Sequence, residues 1–152
     1  MRIALFQPEI AGNVGAVLRT AACLGAGVDL IEPMGFPWSD KKRKRSSMDY
    51  EDHVEIVRHA DWDAFAAQVS GRLILFSTKG GKFLHETRFE TGDTLLFGSE
   101  SAGAPDHVHL CADQVVRIAI NPAVRSLNLG VSAGIALAEA VRQTHGWPST
   151  GG

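Results

Sequence analysis

The sequence predicts an α/β fold, a mostly parallel sheet with helices on both faces, in a single domain spanning residues 1–152. Short apolar runs alternate with helical stretches along the chain, and the runs are apolar at nearly every position. Strands that are buried on both faces have this continuous apolar character. The chain is 45% hydrophobic and 21% charged, which excludes disorder and fibrous folds.

The first half of the chain sets up the alternation. An apolar run at residues 3–6 predicts the first strand, and apolar positions at helical spacing predict a helix over residues 13–24. A second strand is predicted at 28–31, before Glu32 and Pro33. Residues 34–50 are polar and contain Gly and Pro, which is typical of a long loop. A third strand is predicted at 53–57, and an acidic residue starts a helix predicted over 61–69.

The second half continues the same pattern. Three further apolar runs predict strands at 72–76, 94–97 and 115–120, each ending in a turn that contains Gly or Pro. The last helix is predicted over 126–144. Ligands bind beyond the carboxyl ends of strands in such sheets, so the turns after Phe6, Phe76, Phe97 and Ile120 are the expected functional positions.

Charge and cysteine content limit the function classes. Fifteen Lys and Arg residues against seventeen Asp and Glu residues give a net charge of −2, which excludes a uniformly basic nucleic-acid coat. Positive charge is instead concentrated in one block: Lys41, Lys42, Arg43, Lys44 and Arg45. Cys23 and Cys111 lie among apolar residues without CxxC spacing, which predicts free thiols in a reducing compartment. The absence of a signal peptide and of a membrane-length apolar run predicts a cytoplasmic protein that does not contact a membrane.

The first turn carries a candidate ligand-binding arginine. Asn13 is predicted to be the N-cap of the first helix, and the Arg19 side chain leans back toward the strand ends. Its five donors suit a phosphate or a polarised oxygen, although a solvated helix arginine is the alternative. A dinucleotide site is disfavoured, because only Gly12 and Gly15 of a GxGxxG pattern are present.

The segment 95–105 is the most distinctive turn. Gly98 and Gly103 permit a backbone path that exposes amides and carbonyls to a ligand, and Glu100 could cap a helix, contact a ligand or be solvated. Ser101 resembles the nucleophile of a GxSxG hydrolase, but Ser99 replaces the first glycine. His107 and His109 are predicted to be surface residues, and no metal-site spacing accompanies them.

The last helix predicts a second subunit. Ser126 is its predicted N-cap, and Asn128 could either cap the helix or hold a ligand. Small and apolar residues lie on nearly every face of this helix, so it is expected to pack on its own sheet and on another protomer.

These segments resemble the three motifs of the SPOUT methyltransferase superfamily. The motifs are Asn13-x-Gly15-x3-Arg19, Phe97-Gly98-x-Glu100-x2-Gly103, and the stretch from Arg117-Ile118 to Ser126-x-Asn128-Leu129. The resemblance covers nearly the whole chain. Four further segments narrow this resemblance to the small single-domain TrmL-like branch: residues 7–10, 31–36, 49–50 and 78–80.

The resemblance implies a fold and a reaction. The fold is an α/β domain with a trefoil knot in its C-terminal third, an exception to the rule against threading. The reaction is transfer of a methyl group from S-adenosylmethionine, without a metal, to the ribose 2′-hydroxyl of the wobble nucleotide (position 34, C or modified U) of tRNA. The alternatives are a SPOUT enzyme acting on another tRNA or rRNA position, and a catalytically silent RNA-binding dimer.

The resemblance also implies site residues and partners. The donor pocket falls on Phe76, Gly98, Glu100, Gly103, Ile118 and Ser126. The family works as a homodimer in which Arg19 of one subunit faces the donor of the other. Arg19 is interpreted as an orienting donor, because an arginine keeps its proton in proteins and is therefore a poor general base; Ser126 and Asn128 are the polar groups expected near the hydroxyl.

The remaining expectation concerns RNA. The anticodon stem-loop is expected to bind the dimer surface, with phosphate contacts from Lys41 to Arg45; a solvated loop is the alternative. The chain differs from the TrmL-like branch at two positions: Ala138, where a tyrosine is frequent, and Gly130, where a polar residue is common. We therefore expect its RNA contacts or its substrates to differ from those of the branch.

Overall fold

The strands form one parallel sheet. The computed structural model describes residues 1–39 and 50–151, and within these ranges seven strands pair in the order β3-β2-β1-β6-β4-β7-β5, every neighbouring pair parallel. Their bounds are β1 Arg2–Phe6, β2 Gly27–Ile31, β3 Ile56–His59, β4 Leu73–Phe76, β5 Lys82–Phe83, β6 Thr94–Phe97 and β7 Gln114–Arg117. The parallel sheet expected from the sequence is confirmed.

Helices cover both faces of this sheet, also as expected. They are α1 Ala11–Leu24, α2 Trp62–Ala66, α3 Asp106–Cys111 and α4 Leu129–Thr144, with 3-10 turns at Tyr50–His53 and Leu84–Glu86. On one face α1 and α4 bury Val17, Leu18 and Leu137. On the other face α2 and α3 bury Phe65 and Val108. The two apolar cores fix the sheet between the helix layers.

The third strand was predicted too early. Residues 50–53 form a 3-10 turn, and the strand is Ile56–His59, paired with β2 from Val28↔Ile56 to Ile31↔His59. The strand ends in a buried histidine whose Nε2 lies 2.8 Å from Oδ1 of the buried Asp29. This pairing of two polar residues interrupts the apolar pattern on which the prediction depended.

The boundaries near the carboxyl terminus also differ. The last strand was predicted to reach residue 120, but β7 ends at Arg117, because its neighbours offer pairing only up to Phe76 and Phe83. The chain then leaves the sheet, and α4 begins at Leu129, three residues later than predicted.

Two short elements were not predicted. Helix α3 buries only Val108, and β5 is two residues long. Neither contains enough apolar positions to show a helical or strand period. Both matter for the site, since α3 and β5 lie beside the strand ends.

An ion pair holds the end of the sheet at which the strands begin. The guanidinium of Arg72 donates from Nε to Oδ1 and from Nη2 to Oδ2 of Asp93, at 2.9 and 2.8 Å. Asp93 is 1% exposed, and its hydrogen bonds raise the pKa of Arg72. This pair joins the starts of β4 and β6 at the end of the sheet opposite the predicted site.

Cys23 and Cys111 are free thiols, as predicted. Both are exposed, so their apolar sequence neighbours do not cover them. None of the helices in the described ranges is both long enough and apolar enough to cross a membrane.

Candidate active site

A cavity of about 920 Å³ opens at the carboxyl ends of β4, β6 and β7. This is within the size range of small-molecule and cofactor sites. The lining includes every residue predicted to bind the cofactor and two of the three predicted catalytic residues, Ser126 and Asn128: Phe76, Gly98, Glu100, Gly103, Ile118, Ser126 and Asn128. The sheet edge therefore gathers segments that are more than fifty residues apart in the chain.

One wall of the cavity is backbone. The chain after β6 turns on itself, with hydrogen bonds in both directions between the backbones of Ser99 and Gly103. A Cβ atom at Gly98 would lie 2.3 Å from the carbonyl carbon of Gly103 and 2.4 Å from the amide of Ala104. Gly103 itself has φ of +67°, which favours glycine. Glycine at position 98 is therefore a requirement of this turn.

The floor of the cavity is aromatic. The rings of Phe76 and Phe97 stack at 4.9 Å between centroids with an 11° interplanar angle, and the ring of Phe89 lies parallel to Phe76 at 6.4 Å. Phe76 and Phe97 are 8% and 3% exposed. These nearly buried rings give the cavity an apolar floor.

Glu100 connects this turn to the first helix. Its carboxylate accepts hydrogen bonds from the backbone amides of Glu9 (3.1 and 3.2 Å) and Ile10 (2.6 Å) and from Nδ2 of Asn13 (3.5 Å). The N-cap position of α1 is Ile10, which has no side-chain oxygen, so Glu100 supplies the negative charge there. The carboxylate of Glu100 thus acts on α1; a direct contact with a cofactor stays a prediction.

Glu9 makes the reciprocal contact. Its Oε1 accepts from the hydroxyl (2.6 Å) and the amide (3.0 Å) of Ser101, and these bonds lower the pKa of Glu9. Because the Ser101 hydroxyl donates to a carboxylate, and no described histidine hydrogen-bonds to it, the geometry gives no support to the hydrolase alternative.

The prediction of Asn13 as an N-cap is wrong. Helix α1 begins at Ala11, and Asn13 lies within its first turn, 9% exposed, with Oδ1 accepting from Nδ2 of Asn128 at 2.9 Å. The predicted cap at Ser126 is likewise wrong, since Asn128 caps α4 by accepting from the amide of Val131 at 3.2 Å. Ser126 is exposed on the cavity wall.

The sequence matches the SpoU rRNA Methylase family over residues 1–138. The chain belongs to this family. It is similar to a tRNA (cytidine(34)-2′-O)-methyltransferase of Beijerinckia indica, with 46% identity over 144 residues, covering 93% of this chain and 90% of the relative. The family assignment makes the protein a methyltransferase with the SPOUT fold, and with that fold comes the C-terminal trefoil knot implied by the resemblance.

Solved structures agree with this assignment. A structure that concerns 2-OH methylation of C/U34 on tRNA matches with a TM-score of 0.87 and 44% identity, covering 93% of this chain and 94% of the other. The SpoU methyltransferase AviRb from Streptomyces viridochromogenes, in complex with AdoMet, matches with a TM-score of 0.82 and 27% identity, covering 94% of this chain and 60% of that one.

The cavity fits the methyl donor of such an enzyme. S-adenosylmethionine has a flat adenine, hydrogen-bonding edges and a charged amino-acid end. Phe76 and Phe97 provide an apolar floor, and the backbone turn at Gly98 forms a wall without a side chain. The described residues include no group of three or more His, Cys, Asp or Glu side chains placed to hold a metal ion.

Sequence reasoning assigned no role to Arg117, which lines the cavity of this SpoU protein. Its guanidinium lies 4.2 Å above the ring of Phe83, and its Nε is buried without a hydrogen-bond acceptor among the described residues. Lys79, Arg125 and His109 also line the cavity. The pairing of β5 with β7 places Arg117 over Phe83, and this pairing could not be predicted because β5 has no pattern.

Arg19 lies elsewhere. It is exposed, its guanidinium stacks over the Tyr50 ring at 4.7 Å, and it is not among the described residues that line the cavity of its own chain. The basic block from Lys41 to Arg45 lies outside the described residues. The roles predicted for Arg19 and for this block stay predictions.

Gly98→Ala tests the backbone wall. The added methyl group has no space between Gly103 and Ala104, so the turn must move, and we expect the Kd for S-adenosylmethionine to rise ~10-fold or more. Isothermal titration calorimetry measures this affinity. Gly12→Ala is the matched control, because a Cβ there meets nothing within 4 Å. Unchanged donor affinity in Gly98→Ala would contradict the assignment of this wall.

Proposed function

We propose that this protein transfers a methyl group from S-adenosylmethionine to the ribose 2′-hydroxyl of nucleotide 34 in tRNA. The observation that carries the proposal is identity of 46% over 93% of the chain with a tRNA (cytidine(34)-2′-O)-methyltransferase. The cavity supports it, because all the residues predicted for the donor pocket meet there. A tRNA substrate also supports a cytoplasmic location.

The chemistry requires alignment more than acid–base power. When bound, the donor supplies an electrophilic methyl group on a sulfonium. The ribose oxygen forms the new C–O bond as the S–C bond breaks, and the hydroxyl proton leaves to solvent. The protein's contribution is to hold both reactants in line. The main chain at Gly98 and Ile118 holds the donor side, and the side chains of Ser126 and Asn128 face the hydroxyl side.

Arg19 acts in this proposal as an orienting donor for the ribose or its phosphate. An arginine is not deprotonated in proteins, so it is a poor general base. Its planar fork can instead fix an oxygen anion with two hydrogen bonds. Since Arg19 does not line the cavity of its own chain, the proposal assigns it to the cavity of a second protomer.

A homodimer is supported by an exposed apolar surface on α4. Val131 and Ile135 are 50% and 39% exposed and lie four residues apart on one side of the helix, next to Leu127 at 38%. Single exposed apolar residues are ordinary, but a contiguous set on a helix marks an interface. Helix α1, which carries Arg19, packs beside α4.

The substrate is tested by nucleoside analysis. Purified protein with S-adenosylmethionine is expected to place 2′-O-methyl groups on position 34 of unmethylated tRNA, detected by mass spectrometry of ribonuclease fragments. The same tRNA carrying a 2′-deoxynucleotide at position 34 is the control, since it lacks the accepting oxygen. Methylation that persists on this control would assign the enzyme to another position; donor binding without any methylation would favour a different RNA.

The shared site is tested by mixed dimers. Co-expression of an Arg19→Ala chain with a Gly98→Ala chain, each separately tagged, gives a dimer with one intact cavity that receives Arg19 from the other chain. At a donor concentration near the wild-type Kd, each parent homodimer is expected to have little activity and the mixed dimer about half of the wild-type activity, because one of its two sites is complete. An inactive mixed dimer would place Arg19 in the site of its own chain.

The basic block is proposed to bind the phosphates of the anticodon stem. Alanine at Lys41, Lys42, Arg43, Lys44 and Arg45 is expected to weaken tRNA binding and to make it less dependent on salt, while donor binding stays unchanged. Filter binding between about 50 and 200 mM salt measures this slope. If the salt dependence of tRNA binding did not change, the alternative that these residues form a solvated loop would be favoured.

A further inference from the structure

Three side chains from the three sequence motifs form one chain of hydrogen bonds at the cavity. Asn13 Nδ2 donates to Oε2 of Glu100 at 3.5 Å, and Asn13 Oδ1 accepts from Nδ2 of Asn128 at 2.9 Å. Asn128 Oδ1 then accepts from the backbone amide of Val131 at 3.2 Å. The chain runs from the turn after β6, through α1, to the first residue before α4.

The groups at the two ends of this series of hydrogen bonds determine which atoms donate and which accept along it. An ionised carboxylate can only accept, so the amide nitrogen of Asn13 must face Glu100. A backbone N–H can only donate, so the oxygen of Asn128 must face Val131. Between these ends the oxygen of Asn13 meets the nitrogen of Asn128. Rotating either amide by half a turn would bring two donors or two acceptors together.

Packing leaves Asn13 little freedom. Asn13 is 9% exposed within α1. The neighbouring α4 approaches closely at Gly130, where a Cβ would lie 3.1 Å from Cβ of Ala16 and 3.2 Å from Oδ1 of Asn128. A buried amide in such a contact is held in one rotamer.

We propose that Asn13 is a positioning residue that fixes the orientation of the Asn128 amide toward the reacting ribose hydroxyl. With one N–H on Asn13 and its oxygen on the start of α4, Asn128 keeps a second N–H that has no partner among the described residues. Asn128 lines the cavity, so this N–H and the other lone pair of its oxygen are available to the hydroxyl. This inference rests on the proposed function, in which Asn128 contacts the substrate.

The inference predicts non-additive effects on turnover. Asn13→Leu keeps the size of the side chain but removes both hydrogen bonds, and we expect kcat to fall ~10- to 100-fold through misalignment. Asn128→Ala is expected to lower kcat by about 100-fold. Because Asn13 acts through Asn128, the double variant should be no slower than Asn128→Ala alone. Single-turnover assays on tRNA provide the rates.

Two further readouts separate positioning from a general loss of structure. Asn13→Asp retains an acceptor for Nδ2 of Asn128 but loses the donor to Glu100 and places a second carboxylate beside it, so it should recover only part of the activity that Asn13→Leu loses. The Kd for S-adenosylmethionine and the thermal midpoint of Asn13→Leu should stay near wild-type values. The inference would be overturned if the kcat of the double variant fell by the product of the two single-variant losses. It would also be overturned if Asn13→Leu kept its kcat but bound S-adenosylmethionine more weakly.

An activity-independent measurement distinguishes this inference from the proposed function. The side-chain amide proton of Asn128 that is hydrogen-bonded to Asn13 should exchange with solvent more slowly in the wild type than in Asn13→Leu, as measured by nuclear magnetic resonance. If the wild type methylates no tRNA, the proposed function fails, and the exchange rates still decide whether Asn13 holds Asn128. Equal exchange in the two proteins would refute the inference.

Discussion

The carboxylate of Glu100 joins the two loops on which the cavity depends. The backbone amides of Glu9 and Ile10 directly precede helix α1, whose N-cap residue, Ile10, has no side-chain acceptor. Glu100 reaches those amides from a turn ninety residues later in the chain. Glu9 returns a contact to Ser101 of that turn. Each loop therefore satisfies the polar groups of the other, and the distance between α1 and the cavity wall is fixed.

The cavity is lined by both backbone and side chains. The wall at Gly98 is a tight backbone turn, which has no side-chain rotamer to change when a ligand arrives. Asn128 and Ser126 supply polar side chains on another wall. Cationic side chains complete the lining, at Arg117, Lys79 and Arg125. A positive lining in a protein of net charge −2 concentrates attraction for an anionic substrate at one place.

Helix α4 explains one departure from the branch that the sequence resembles. At Gly130 a side chain would press on Ala16 and on the oxygen of Asn128, so glycine permits the close packing of α4 on α1. The close packing of the two helices beside Asn128 therefore accounts for glycine at position 130, where a polar residue is common in the branch. Ala138, half-buried on the same helix, has no such contact to account for it.

The sequence alone determined the α/β class, because strands buried on both faces must be apolar at consecutive positions. It also determined which turns meet at the cavity, since the carboxyl ends of parallel strands lie at one end of the sheet, and the family resemblance supplied the individual pocket residues. The family resemblance added the chemistry. The sequence did not determine that Glu100 caps α1, or that Asn128 and not Ser126 caps α4. Those assignments depend on which polar groups approach within hydrogen-bond distance once the loops are packed. The same holds for Arg117 over Phe83 and for His59 on Asp29: each pair joins residues from different strands, and neither partner carries a local pattern that identifies the other.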